Sequence, residues 1–113
     1  MNFENLVVWR RSKSLAVAVA LELRHCRDSG FRAQMSRAEV SIPSNIAEGL
    51  ERRTGKDKAR FLWIAKGACG ELRTQMMIGM ELGYVPEGLS HQWITETREL
   101  SKMLHGLIKT ISD

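Results

Sequence analysis

The sequence is poor in the residues that break or staple a chain. Its 113 residues include two prolines, two cysteines, three tryptophans, three phenylalanines and one tyrosine. Cys26 and Cys69 stand far apart, with neither a C-x-x-C spacing nor a histidine at ligand spacing. That excludes a disulfide framework and a zinc-finger type of site, and leaves two small core thiols in a reducing compartment. No segment alternates apolar and polar residues for long, which excludes a half-buried sheet. No apolar run approaches the roughly 20 residues needed to span a bilayer, so no membrane partner is expected. The opening "MNFENLVVWRRSK" carries acid and base after a short apolar run, without a basic leader or a small-residue cleavage site, and a cytoplasmic location follows as the expectation. Linkers, repeats and low-complexity tracts are absent too, so residues 1–113 read as a single domain.

What is present is apolar residues at spacings of three and four, the mark of amphipathic helices. A first helix is predicted from about residue 5 to 27, with Val8, Leu15, Val19, Leu23 and Cys26 on one face and Ser12 and Ala16 between them. "DSG" at 28–30 ends it. The second starts near Ser29 or Phe31 and runs to about Arg52. In the turn "RTGKD", Thr54 can cap a third helix starting near Gly55, with Asp57 answering three residues on. Phe61, Ala65, Ala68, Leu72 and Met76 form the main stripe of that helix, and Gly83 suits its C-terminal cap. Pro86 fits a first helical turn. The fourth helix carries Trp93, Leu100, Leu104, Leu107 and Ile111 and should run to the chain's end. Four helices of about twenty residues with short links pack as an antiparallel up-down-up-down four-helix bundle.

The second helix holds the densest chemistry. Arg37, Ser41, Ser44 and Glu48 fall in one narrow arc, with Asn45 beside it. Met35, Ala38, Ile42, Ile46 and Gly49 make one apolar flank; Val40, Pro43, Ala47 and Leu50 make a second. The bundle core can cover one flank. The other calls for a neighbouring subunit, which predicts self-association. Pro43 should kink the helix, because it lacks an N–H and crowds the carbonyl of Glu39.

Catalysis is not predicted, and no cofactor or metal is implied. Ser41 and Ser44 have no histidine at helical spacing, His25, His91 and His105 lie on other segments, and no Glu-x-x-His pairs exist for a di-metal site. An enzyme would have to use Glu48 with Glu71 of the third helix as acid and base. The polar stripe, with Glu71 at the edge of its own helix's apolar face, fits better as a hydrogen-bonded network that fixes helix register.

The formal charge of +4 and the pI near 9.4 favour acidic partners. The bases concentrate in "ERRTGKDKAR", residues 51–60, where Arg52, Arg53, Lys56, Lys58 and Arg60 surround a predicted helix N-terminus. That is a candidate phosphate-binding, hence nucleic-acid-binding, patch. Arg10, Arg11 and Lys13 form a smaller cluster, and Lys66 and Arg73 extend the main one. "GKDK" lacks the earlier glycine and the following hydroxyl of a Walker loop. Of the tryptophans, Trp63 points away from the core stripe of its helix and is the interface candidate, whereas Trp93 reads as core.

Taken together, "FENLVVW" (3–9), "RAEVSIPSNIAEG" (37–49), "RFLWIAKGACGEL" (60–72) and "LGY" (82–84) closely resemble the bacterial four-helix-bundle family of 23S rRNA-intervening sequence proteins. Members of that family are similar to the accessory protein of diversity-generating retroelements. The resemblance implies a small bundle assembled into a ring-shaped homopentamer with a basic surface, partnering RNA or DNA, or a nucleic-acid enzyme such as a reverse transcriptase. It also carries over Arg37, Ser41, Asn45, Glu48, Gly49, Arg60 and Glu71 as structural and interface positions. Two readings of function stand together here: a non-enzymatic nucleic-acid-binding or accessory oligomer, and a structural or protein-binding scaffold with no nucleic-acid role.

Overall fold

A computed structural model describes residues 2–111. It consists of a short 3-10 turn, Phe3–Asn5, and four helices: α1 (Val7–Leu23), α2 (Ser29–Leu50), α3 (Gly55–Glu81) and α4 (Glu87–Ile111). No strand occurs among the described residues. Each helix packs on the next in sequence, and α4 closes back on α1. Such short links force neighbours to run in opposite directions. The result is a rod of 44 × 21 × 20 Å, its length set by the 27 residues of α3 at about 1.5 Å each.

The helix ends are built by the residues that chemistry would choose. Asp28 takes an extended conformation, and its Oδ1 accepts from the Phe31 N–H at 3.0 Å to cap α2. Thr54 caps α3 in the same way through the Asp57 N–H at 3.1 Å. At the far end of α3, Gly83 adopts φ +77. Its N–H reaches the Met80 carbonyl and the Tyr84 N–H reaches Gly79, a Schellman closure that needs a residue free to enter the left-handed region. The Tyr84 hydroxyl then donates to Asp28 Oδ2 at 2.8 Å, while its ring meets Phe31 edge-on at 5.1 Å. These contacts fasten the start of α2 to the α3–α4 corner. The Phe31 amide first, and the Tyr84 hydroxyl second, hold the Asp28 carboxyl below its ordinary value.

Helix α1 ends at Leu23, short of the predicted boundary near 27. The chain must reverse between residues 24 and 28 so that Asp28 can reach its capping conformation, and the Cys26 N–H closes that reversal on the Leu23 carbonyl at 2.9 Å. Cys26 is therefore half-buried in a loop and not on the α1 stripe. Helix α2 runs unbroken through Pro43. Pro43 supplies no N–H to the Glu39 carbonyl, and two residues on Asn45 Nδ2 donates to the Ser41 carbonyl and hydroxyl at 2.8 and 2.9 Å. Helix α4 ends at Ile111, so its predicted continuation to the chain's end lies outside the described residues.

The core lies along the axis. Val19, Met35, Ile42, Ile46, Leu62, Leu72, Met76, Leu100 and Leu104 are buried almost completely, and Trp93 joins them. The predicted core flank of α2 is the one that is buried. On its second flank only Leu50 is covered, while Val40 is 50% exposed and Pro43 and Ala47 are half-buried. Across the α1–α4 seam, Arg11 forms ion pairs with Glu96 and, at 2.6 Å, with Glu99. Between α3 and α4, Arg73 Nε donates to Thr97 Oγ1 at 3.0 Å.

Candidate nucleic-acid interface

The turn between α2 and α3 is positioned by a close approach of two backbones. A Cβ built on Gly49 would lie 3.1 Å from the Lys58 carbonyl oxygen and 3.1 Å from Phe61 Cβ. A larger residue would push the helices apart, so glycine lets α2 and α3 converge just before the chain turns. The Glu51 and Arg52 N–H groups close the end of α2 on the Ala47 and Gly49 carbonyls. Thr54 then opens α3.

This geometry gathers the predicted bases around one end of the rod. The Arg52 and Arg60 guanidinium carbons each lie 4.6 Å from the centroid of the Phe61 ring. Phe61 was expected in the core stripe of α3 but is only half-buried, a place that suits a ring flanked by two cations. Arg52 also pairs with Glu48 at 3.5 Å, and its Nε has no hydrogen-bond partner. Arg53 and Lys56 are exposed and Lys58 is partly so. Arg52, Arg53 and Thr54 line an open depression of about 520 Å³, with Glu51 and Asp57 as its acidic members. In an antiparallel bundle the start of α1 and the end of α4 share this end, so Arg10, Lys13 and Lys109 join the basic set. Arg10 is anchored to the Glu4 carbonyl at 2.9 Å, and Lys13 sits over the Trp9 ring at 5.2 Å. Arg11 and Arg73 leave the set, since both are engaged with α4.

The other predicted positions are less convergent. Ser41 and Asn45 are joined as described, and Glu48 pairs with Arg52. Arg37 and Glu71 are exposed, on α2 and α3 respectively. Trp63 is 51% exposed, with its ring edge-on to His105 at 6.2 Å. Among the described residues no group of three His, Cys, Asp or Glu side chains converges. What the arrangement offers chemically is positive charge beside a helix N-terminus, with two guanidiniums braced on one aromatic ring, a donor set suited to phosphates. Two features escaped the sequence reading. One is the stacked ring, foreshadowed only by the adjacency of Arg60 and Phe61. The other is buried Glu39, which stands in the row Met35, Glu39, Ile42, Ile46 at four-three-four spacing.

Four antiparallel helices with covered cores, capped turns and a basic end define the protein as a four-helix bundle. The chain belongs to the family of the 23S rRNA-intervening sequence protein, whose model matches residues 4–106. Among solved structures it is similar to a protein of unknown function from the S23 ribosomal protein family of Bacteroides thetaiotaomicron VPI-5482, with a TM-score of 0.85 and 22% identity over 91% of this chain and 99% of that one. Similarity at that identity speaks for the fold. No curated protein matches the sequence.

Proposed function

We propose that the protein is a non-enzymatic, oligomeric, cytoplasmic bundle that binds RNA or DNA, or serves a nucleic-acid enzyme, through the basic end. The observation that carries this reading is the convergence of Arg52, Arg53, Lys56, Lys58 and Arg60 on one turn, with two of the guanidiniums flanking Phe61. Lysine and arginine displace condensed counterions from a phosphate backbone, and the Phe61 ring braces the Arg52 and Arg60 guanidiniums that would meet it. The ring-shaped homopentamer implied by the family resemblance would repeat this patch around the assembly. The uncovered flank of α2 and exposed Trp63 supply apolar area for subunit contacts.

The test is binding of fluorescent RNA and DNA oligonucleotides as a function of salt. With about four phosphates neutralised, the logarithm of affinity should fall with the logarithm of salt at a slope of about −3 to −4. Replacing Arg52, Arg53 and Lys56 with glutamate should abolish salt-sensitive binding and leave helicity intact. Unchanged binding would remove the patch from consideration. A wild-type protein that multimerises but binds no oligonucleotide would instead be a protein-binding scaffold, the reading that the exposed Val40 and Trp63 favour on their own.

A further inference from the structure

Away from the basic end, between α1 and α2, lies a cleft of about 300 Å³ lined in part by Ala20, Leu23, Arg32, Ala33, Ser36 and Glu39. Its volume stands at the lower limit of small-molecule sites. Glu39 is 3% exposed, and its Oε2 is buried without a hydrogen-bond partner. A buried carboxylate lacking a donor is costly, and natural structures rarely leave one so unless something else supplies the donor. Arg32 does not supply it here. Its guanidinium donates to the Cys26 carbonyl, and its position on α2 is two turns, about 10 Å, from Glu39.

The lining narrows the chemistry. A divalent cation needs several oxygen ligands, and the cleft has one carboxylate with no second acid, histidine or cysteine in its wall. An anion would meet Glu39. We propose that the cleft binds a small organic cation of the alkylammonium or guanidinium class. The Glu39 carboxylate would accept its N–H groups, Ser36 would offer a second acceptor, and Ala20, Leu23 and Ala33 would enclose the alkyl stem. The cation is either a free amine or a lysine or arginine side chain from a second copy of the chain; both present the same donor group.

Protonation provides an internal control. Burial alone pushes the Glu39 carboxyl up to about 7. From α1 only Ala20 and Leu23 face the cleft, and Arg32 on α2 is the other charged group in its wall. A cation requires the ionised carboxylate, so affinity should fall about tenfold per pH unit below that value and level off above it.

The experiment is a titration of the full chain with propylammonium and with methylguanidinium chloride, followed by amide chemical shifts, at pH 6 and pH 8. Sodium chloride serves as the ionic-strength control. Saturable shifts at Ala20, Ala33 and Ser36, weaker at pH 6 and reduced at least tenfold in Glu39→Gln, are expected. Ala20→Leu, which fills the cleft and leaves the carboxyl in place, should block binding as well. If Glu39→Gln also lowers the assembly mass in light scattering, and the amines do the same to the wild type, the cation comes from a second copy. Shifts no different from those in sodium chloride, or unchanged binding by a folded Glu39→Gln protein, would overturn the proposal.

Discussion

Replacing Glu39 with glutamine should make the protein more stable, and by an amount that grows with pH. An ordinary glutamate ionises near 4.5, whereas burial holds the folded-state value near 7. Between these values the native state keeps a proton that the unfolded chain has released, so wild-type stability declines as pH rises through this window and levels off above it. At 1.36 kcal/mol per pH unit, the decline from this one group is at most about 3 kcal/mol. Glutamine has nearly the same shape and carries no charge to desolvate. The two proteins should therefore differ little at pH 4.5 and by about 2–3 kcal/mol at pH 8, with glutamine the more stable. Asp28, whose lowered value acts in the opposite direction, is present in both and cancels in the difference. Urea unfolding followed by far-UV circular dichroism at several pH values gives the difference curve directly. A flat curve, or one that grows toward low pH, would refute the claim that Glu39 is unpaired in solution, and together with a loss of assembly mass in Glu39→Gln it would mean that a cation of a second copy already pairs it.

Other substitutions probe the packing. A Cβ on Gly79 would lie 2.9 Å from Phe31 Cζ; Gly79→Ala should therefore destabilise by about 1–2 kcal/mol despite a better helix propensity, with Phe31→Leu restoring much of the loss in a double-mutant cycle. Ile46→Ala empties a fully buried site and should cost about 2–5 kcal/mol in thermal or urea unfolding. In Tyr84→Phe the Asp28 carboxyl loses its hydroxyl donor, so its titration, followed by carboxyl NMR, should move up toward the ordinary value. Val40→Glu on the uncovered flank of α2 should lower the assembly mass in light scattering without loss of helicity, and an unchanged mass would place the subunit contacts elsewhere.

Much of this fold was legible because helix signals are local. Thr54 and Gly83 mark their caps by chemistry alone, and Met35, Ala38, Ile42, Ile46 and Gly49 declare the buried face of α2 by spacing. The misjudged positions depend on neighbours. Leu62 and Cys69 are buried beside the predicted α3 stripe because α3 packs on both α2 and α4 and so needs a wider apolar arc. For the same reason Ile94 and Ile108 are buried, while Leu107 and Ile111 are only partly covered. Glu39 reads as polar in a pattern of residue types, and its burial, in the row of Met35, Ile42 and Ile46, is a tertiary fact. At the candidate interface, the clustering of bases on one turn was readable from composition. The inward commitment of Arg11 and Arg73 was not, since their partners lie on α4, far along the chain.

The placement of charge along the rod has a consequence before any contact is made. One end carries Arg10, Lys13, Arg52, Arg53, Lys56, Lys58, Arg60 and Lys109 against Glu4, Glu48, Glu51 and Asp57, whereas at the other Glu22, Asp28, Glu81 and Glu87 offset Arg24, Arg27 and Arg32. A body 44 Å long with its positive charge weighted to one end has an electric dipole along its long axis. In the field of a polyanion it experiences a torque as well as a pull, and it turns while it is still diffusing. Because ions screen that field over about 8–10 Å at ordinary salt, the turning happens within the last few solvent layers. Lowering the salt should therefore raise the fraction of encounters that begin basic end first.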